Sequence, residues 1–117
     1  METKPVEHIS MNELAQKMNE GEFTQVVNVL EPNFYNLGSI KGSLHIPASE
    51  LANRVNELDK KQEVVTYCAG QQCDASDRAA EELAALGFNV KCYKGGIEEW
   101  KDAGLPTEGG ETIATAA

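Results

Sequence analysis

Cys68 stands where a thiol can act as a nucleophile. It follows a β-branched run, residues 64–66, that predicts a buried strand, and a short polar loop separates it from an alanine-rich helix predicted through Leu86. A thiol at the mouth of such a strand-loop-helix unit faces backbone N–H groups and the positive end of the helix dipole. Both favour the thiolate, which is the form that attacks in covalent catalysis. The sequence therefore predicts that Cys68 is a catalytic nucleophile.

The chain has two further cysteines, Cys73 and Cys92. A C-x4-C pair that brackets a loop can close a disulfide if its Cα atoms come within about 7 Å, which makes Cys73 a candidate resolving thiol. The alternative is a loop cysteine without a role. Cys92 alternates with Val90 in a predicted strand and is expected in the core. The cysteines have no zinc-like spacing and no suitably placed histidines, so no metal site is predicted.

The elements that must position Cys68 alternate between strand and helix patterns. Strands are predicted over residues 8–9, 24–30, 43–46, 63–67 and 89–93. Helices are predicted from a capping box of Ser10 and Glu13 to Gly21, from Pro32 to Gly38, from a cap at Ser49 through Leu58, from Ala75 to Leu86, and from Ile97 to Lys101. This order predicts an α/β fold with a mainly parallel central sheet of about five strands and helices on both faces. Sites in such sheets form at the carboxyl ends of strands, where Cys68 lies.

Composition limits the classes of function. At 117 residues the chain is expected to form one domain that buries enough surface to fold without disulfides or metals. A net charge of -9 argues against nucleic acid and anionic membranes as partners. The first residues lack the basic and apolar regions of a signal peptide, and no stretch has the length of a membrane span. A cytoplasmic protein is therefore expected.

Several motifs in the chain occur together in one known family. The second half carries the strand-end cysteine, a helix with Ala-Ala-Glu-Glu-Leu, a Leu-Gly-Phe turn, and the run Tyr-Lys-Gly-Gly-Ile-Glu-Glu-Trp at residues 93–100. In the first half, residues 38–47 are similar to a Gly-His-Ile-x-Gly-Ala-x-x-Ile-Pro segment. In this combination the chain resembles the rhodanese-like sulfurtransferase domains. The resemblance implies a single rhodanese-like domain over residues 8–107, after a lead at 1–7. Residues 108–117 have no apolar period, which predicts a disordered tail.

The resemblance also implies a mechanism. Cys68 would take a sulfane sulfur from a small sulfur-containing donor, become a persulfide, and pass the outer sulfur to a thiol or another nucleophile, with no cofactor. A sulfur-carrier protein is a further implied partner. Backbone N–H groups of the loop would hold the terminal sulfur, and Asp74 or Ser76 would cap the following helix. The implied binding loop consists of Ala69, Gly70, Gln71, Gln72, Cys73 and Asp74.

Three departures from the family pattern bear on the substrate. The family usually has Asp-x-Arg where this chain has residues 28–30, Asn-Val-Leu, so a brace made by an ion pair or hydrogen bond is expected to be missing. Ser39 replaces a usual histidine, and the loop lacks both arginines of the common Cys-Arg-x-Gly-x-Arg-Ser. A chain of net charge -9 without those arginines is expected to use dianionic thiosulfate weakly. Persulfides, polysulfide or a sulfur-carrying protein are the favoured donors.

Two other functions fit parts of the pattern. Cysteine phosphatases and arsenate reductases of this fold grip an oxyanion with Cys-x5-Arg, but the position six after Cys68 is Asp74, whose carboxylate would repel phosphate. The second alternative is a non-catalytic rhodanese-like module that binds a partner or senses oxidants through Cys68 and Cys73.

Overall fold

Strands and helices alternate along the chain. A computed structural model describes residues 6–21, 24–31, 37–70 and 73–109. Within these ranges the strands are β1 (Glu7–His8), β2 (Thr24–Asn28), β3 (Ser39–Ile40), β4 (Leu44–His45), β5 (Glu63–Tyr67), β6 (Val90–Tyr93) and β7 (Thr107–Glu108). The helices are α1 (Met11–Asn19), α2 (Leu51–Arg54), α3 (Ala75–Ala85) and α4 (Gly96–Asp102), and short 3-10 turns flank α2. None of these described helices is long and apolar enough to cross a membrane.

The central sheet has five parallel strands in the order β1-β6-β5-β2-β4. The middle strand, β5, carries Val64 and Val65, and both side chains are fully buried. Because helices cover both faces of a parallel sheet, its inner strands are apolar on both sides, which explains the continuous run before Cys68. The predicted α/β class with a mainly parallel sheet of about five strands is confirmed.

A second, two-stranded sheet was not predicted. β3 pairs antiparallel with β7, with Ile40 opposite Thr107. The carboxylate of Glu108 accepts a hydrogen bond from the Gly42 N–H at 3.0 Å. The disordered tail was expected to begin at residue 108, but Glu108 belongs to β7. Strands of two residues have no alternation for a pattern to detect, and residues 110–117 lie outside the described ranges.

The helix starts confirm one predicted cap and contradict another. At α1 the Glu13 N–H donates to Ser10 Oγ at 3.2 Å and the Ser10 N–H donates to the Glu13 carboxylate at 3.4 Å, which is the predicted capping box. Ser49 does not cap a helix. Its N–H and hydroxyl both donate to the Glu31 carboxylate, at 3.0 and 2.8 Å, because it lies in a 3-10 turn before α2. The brief helix predicted from Pro32 falls outside the described residues.

The helix α3 packs against the sheet beside Cys68. The helical spacing of apolar residues predicts a buried face of Ala75, Ala79, Ala80, Leu83 and Leu86. Of these, Ala79, Ala80 and Leu83 are buried and Ala75 is half-buried. The predicted burial of Leu86 is wrong, since its side chain is 43% exposed. Leu86 is the residue that follows the last helical turn, so the helical period no longer sets the direction of its side chain.

Candidate active site

Cys68 lies directly after β5, at the carboxyl edge of the sheet. Its side chain is 1% exposed. The first turn of α4 holds the chain at this point, because the Ile97 N–H donates to the Cys68 carbonyl and the Glu98 N–H donates to the Ala69 carbonyl, both at 2.9 Å. The backbone of the predicted nucleophile is therefore anchored to a helix that begins almost 30 residues later in the chain.

The loop after Cys68 returns to it through Cys73. A disulfide joins the two residues, and their Cα atoms are 6.5 Å apart, within the distance that the sequence analysis required. The Cys73 N–H donates to the Gly70 carbonyl at 3.0 Å and closes the turn. Of the predicted loop residues, Gly70 is buried, Ala69 and Cys73 are half-buried and Asp74 is exposed. Gln71 and Gln72 lie outside the described residues, and the resolving role of Cys73 stays a prediction.

No side chain caps the N-terminus of α3, so the predicted cap at Asp74 or Ser76 is wrong. Asp74 occupies the capping position with helical backbone angles, φ -88° and ψ -8°, whereas a capping side chain needs an extended backbone there. Ser76 lies inside the first turn. Its hydroxyl accepts a hydrogen bond from the Cys92 thiol at 3.3 Å and lies 3.8 Å from Cys68 Sγ. The Ser76 hydroxyl therefore lies close to the sulfur atoms of both Cys68 and Cys92.

Lys94 brings a positive charge to the loop. Its ammonium donates to the Cys73 carbonyl at 2.9 Å and to the Asp77 carboxylate, and it lies 3.7 Å from the Asp74 carboxylate. The hydrogen bond to Asp77 raises the pKa of Lys94. One ammonium beside two carboxylates leaves a net negative charge, so Lys94 does not replace the two loop arginines of the family. Sequence reasoning missed Lys94, although the pairing of Tyr67 with Tyr93 brings the ends of β5 and β6 together.

The brace that was expected to be missing is present in neutral form. The Asn28 side chain is fully buried, and its Nδ2 donates to Ser39 Oγ at 3.0 Å. Its Oδ1 accepts from the Leu30 N–H at 2.8 Å. The two residues that depart from the family pattern thus bind each other. Asn28 pairs with Tyr67 across β2 and β5, one position before Cys68.

Tyr67 connects β5 to β3 and to the turn that follows β3. Its hydroxyl accepts from the Ile40 N–H at 2.9 Å and lies 2.9 Å from the Ser43 hydroxyl. Burial raises the pKa of this phenol. The neutral hydroxyl satisfies a buried backbone donor, which fixes the strand end that carries Cys68.

Three potential metal ligands lie close together near Ser76. The ligand atoms of His8, Asp77 and Cys92 lie within 4.8 Å of one another. However, Asp77 already binds the Lys94 ammonium, whose charge would repel a cation. Burial raises the pKa of the Cys92 thiol to about 11, whereas metal binding requires the thiolate. These groups do not fit a metal site, and they form a hydrogen-bonded cluster that supports the start of α3.

Cys92 is expected to make the fold sensitive to alkaline pH. Because burial raises its pKa from 9.0 to about 11, the stability that the neutral thiol contributes is full below pH 9 and is lost as the pH rises through 11. A shift of this size corresponds to about 3 kcal/mol. Across this pH range, urea unfolding should show a larger fall in the free energy of unfolding for the wild type than for Cys92→Ala. The variant retains the buried Tyr67 and Tyr93, so their titration is common to both proteins. Equal pH dependence of the two proteins would contradict the assignment.

A family model, several sequence relatives and solved structures match this chain. The sequence profile described as rhodanese-like domain matches residues 10–103. The chain is 31% identical over 97 residues to the thiosulfate sulfurtransferase GlpE of Shewanella oneidensis, covering 82% of this chain and 93% of that protein. It is 35% identical over 109 residues to an HTH-type transcriptional regulator of Mycobacterium tuberculosis, covering 93% of this chain but only 48% of the regulator. The crystal structure of the BH2092 protein of Bacillus halodurans superposes with a TM-score of 0.83 at 30% identity, covering 90% of this chain and 78% of that one.

Proposed function

Since this chain belongs to the family of rhodanese-like domains, we propose that it is a sulfurtransferase that carries a sulfane sulfur as a persulfide on Cys68. The position of Cys68 carries the proposal, because it lies at the carboxyl end of the central strand and a second cysteine, Cys73, reaches its sulfur. The similarity to a thiosulfate sulfurtransferase supports the general class of reaction. We also propose a location in the cytoplasm, where dissolved thiols would return Cys68 and Cys73 to the reduced form.

The reaction proceeds in two displacements. The Cys68 thiolate attacks the sulfane sulfur of the donor, and the remainder of the donor leaves with the bonding electron pair. An acceptor thiolate then attacks the outer sulfur, and Cys68 leaves as the thiolate. Backbone N–H groups of the loop after Cys68 would hold the terminal sulfur between the two steps. The cycle needs the reduced protein, so a thiol must first open the bond between Cys68 and Cys73.

The charges around the loop favour a donor with little negative charge. Asp74 is exposed beside the loop, and Asp77 forms an ion pair with the Lys94 ammonium. A thiosulfate dianion would meet these carboxylates, whereas the sulfane sulfur of an organic persulfide or of a sulfur-carrier protein brings at most one negative charge, and a polysulfide spreads its charge along a chain of sulfur atoms. We therefore assign persulfides or polysulfide as the preferred small donors.

Intact mass spectrometry tests the proposal. The reduced chain is incubated with a small-molecule persulfide, with polysulfide or with thiosulfate, and the Cys73→Ser background is included to retain the adduct. One added sulfur is expected with persulfide and polysulfide and less with thiosulfate. Cys68→Ser should abolish the adduct, and Cys92→Ser should retain it, because Cys92 is buried in β6. The absence of an adduct with every donor would refute the proposed function.

Two observations favour a second function, thiol redox sensing. Cys68 and Cys73 form a disulfide, and the chain matches nearly half the length of a transcriptional regulator. In such a module the oxidised loop would change how the domain contacts a partner. A chain that forms the disulfide reversibly but takes no sulfur from any donor in the mass experiment would support this second function.

A further inference from the structure

We infer that Cys73 discharges the Cys68 persulfide and releases its outer sulfur as sulfide, so that the domain also acts as a persulfide reductase. This inference rests on the proposed function, because it needs the persulfide. The Cys73 thiolate attacks Cys68 Sγ, the bond between that atom and the outer sulfur breaks, and the outer sulfur leaves as hydrosulfide with its own proton. The sulfane sulfur gains two electrons, and the two cysteine sulfurs lose them as they form the disulfide.

The loop geometry places the attacking thiol within reach. The product of the step, the bond between Cys68 and Cys73, is the arrangement that the structure contains. Two contacts hold residue 73 there: its N–H donates to the Gly70 carbonyl at 3.0 Å, and its carbonyl accepts from Lys94 at 2.9 Å. A thiol positioned in this way reacts intramolecularly, which gives it a large advantage over thiols in solution.

Burial limits the competing acceptors. In the disulfide form Cys68 is 1% exposed, whereas Cys73 is half-buried. A dissolved thiol must reach the Sγ atom of a buried residue, whereas Cys73 is bonded to that atom in the oxidised form and needs no such access. The other nearby thiol, Cys92, donates its hydrogen to Ser76 and is held protonated by burial, so it is a poor nucleophile. The geometry therefore points to Cys73 as the resolving residue.

A dithiol reductant completes the cycle. After sulfide has left, a small or protein dithiol opens the disulfide by two successive thiol exchanges and becomes a disulfide itself. The net reaction converts a persulfide and a dithiol into a thiol, sulfide and a disulfide. Reactions that generate low-molecular-weight persulfides would supply the substrate, and reactions that consume sulfide would take the product.

A single-turnover experiment tests the inference. The fully reduced chain is mixed with one equivalent of a small-molecule persulfide, sulfide is trapped with a bimane reagent, and the intact mass is measured without reductant. The wild type should release about one sulfide per chain and lose the mass of two hydrogens as the disulfide closes. Cys73→Ser should keep the added sulfur and release sulfide at least roughly tenfold more slowly.

One control variant and two further outcomes decide the inference. Cys92→Ser should behave as the wild type, and loss of sulfide release in that variant would overturn the assignment to Cys73. Retention of the added sulfur by the wild type, with no disulfide, would also overturn it. Failure of the proposed function looks different, because then neither Cys73→Ser nor Cys73→Ala takes up sulfur. The wild-type mass alone distinguishes a persulfide from a disulfide, so the test does not depend on the folding of any variant.

Discussion

Replacement of Gly96 by alanine is expected to lower the free energy of unfolding by about 3 kcal/mol or more and to disrupt the loop after Cys68. Gly96 has φ +68°, which strains any L side chain. A Cβ at this position would also lie 2.6 Å from the Cys68 carbonyl oxygen and equally close to the backbone of Ala69. These atoms cannot move aside without breaking the hydrogen bonds that anchor Cys68 to α4.

Gly104 provides a matched control for this prediction. It has φ +77°, but a Cβ there would meet no atom within 4 Å. Gly104→Ala should therefore cost only the backbone strain, about 1 kcal/mol. Urea unfolding of both variants, together with sulfur loading measured by intact mass, separates strain from close approach. If the two substitutions cost the same, the contact between Gly96 and the Cys68 backbone does not stabilise the site.

The part of the site that could be predicted follows from local signals. The β-branched run before Cys68 indicates a strand, and one rule about parallel sheets places its carboxyl end at the site. The cap at Ser10 is equally local, since both partners lie within one helical turn. Gly96 was recognised only as part of the run at residues 93–100, because its close approach to Cys68 depends on how α4 packs and not on the residues beside it.

Other parts depend on contacts between distant segments. Lys94 reaches Cys73 across 21 positions because β5 and β6 are neighbours in register, a relation that no sequence period encodes. The departures at Asn28 and Ser39 were each interpreted as a loss. Their mutual hydrogen bond becomes visible only when the fold brings the end of β2 close to β3, which belongs to the other sheet. A pair of substitutions can thus preserve a brace that each one alone would remove.

Replacement of Asn28 by alanine is expected to lower the free energy of unfolding by about 2–4 kcal/mol. The change removes the acceptor of the buried Leu30 N–H and leaves a small cavity where a fully buried side chain stood. Ser39→Ala should cost about 1 kcal/mol, since Ser39 is half-buried and water can replace its hydroxyl. Urea unfolding measures both, and the double variant gives their coupling.

Asn53, which is exposed in α2, supplies the control for the same chemical change. Asn53→Ala should alter the free energy of unfolding by no more than about 0.5 kcal/mol. A similar small effect for Asn28→Ala would mean that the neutral brace contributes nothing. Asn28 pairs with Tyr67 and does not contact the sulfur chemistry, so the folded fraction of Asn28→Ala should still accept one sulfur on Cys68. Loss of loading without loss of stability would instead place Asn28 in the function of the site, as a residue that sets the position of the β5 end.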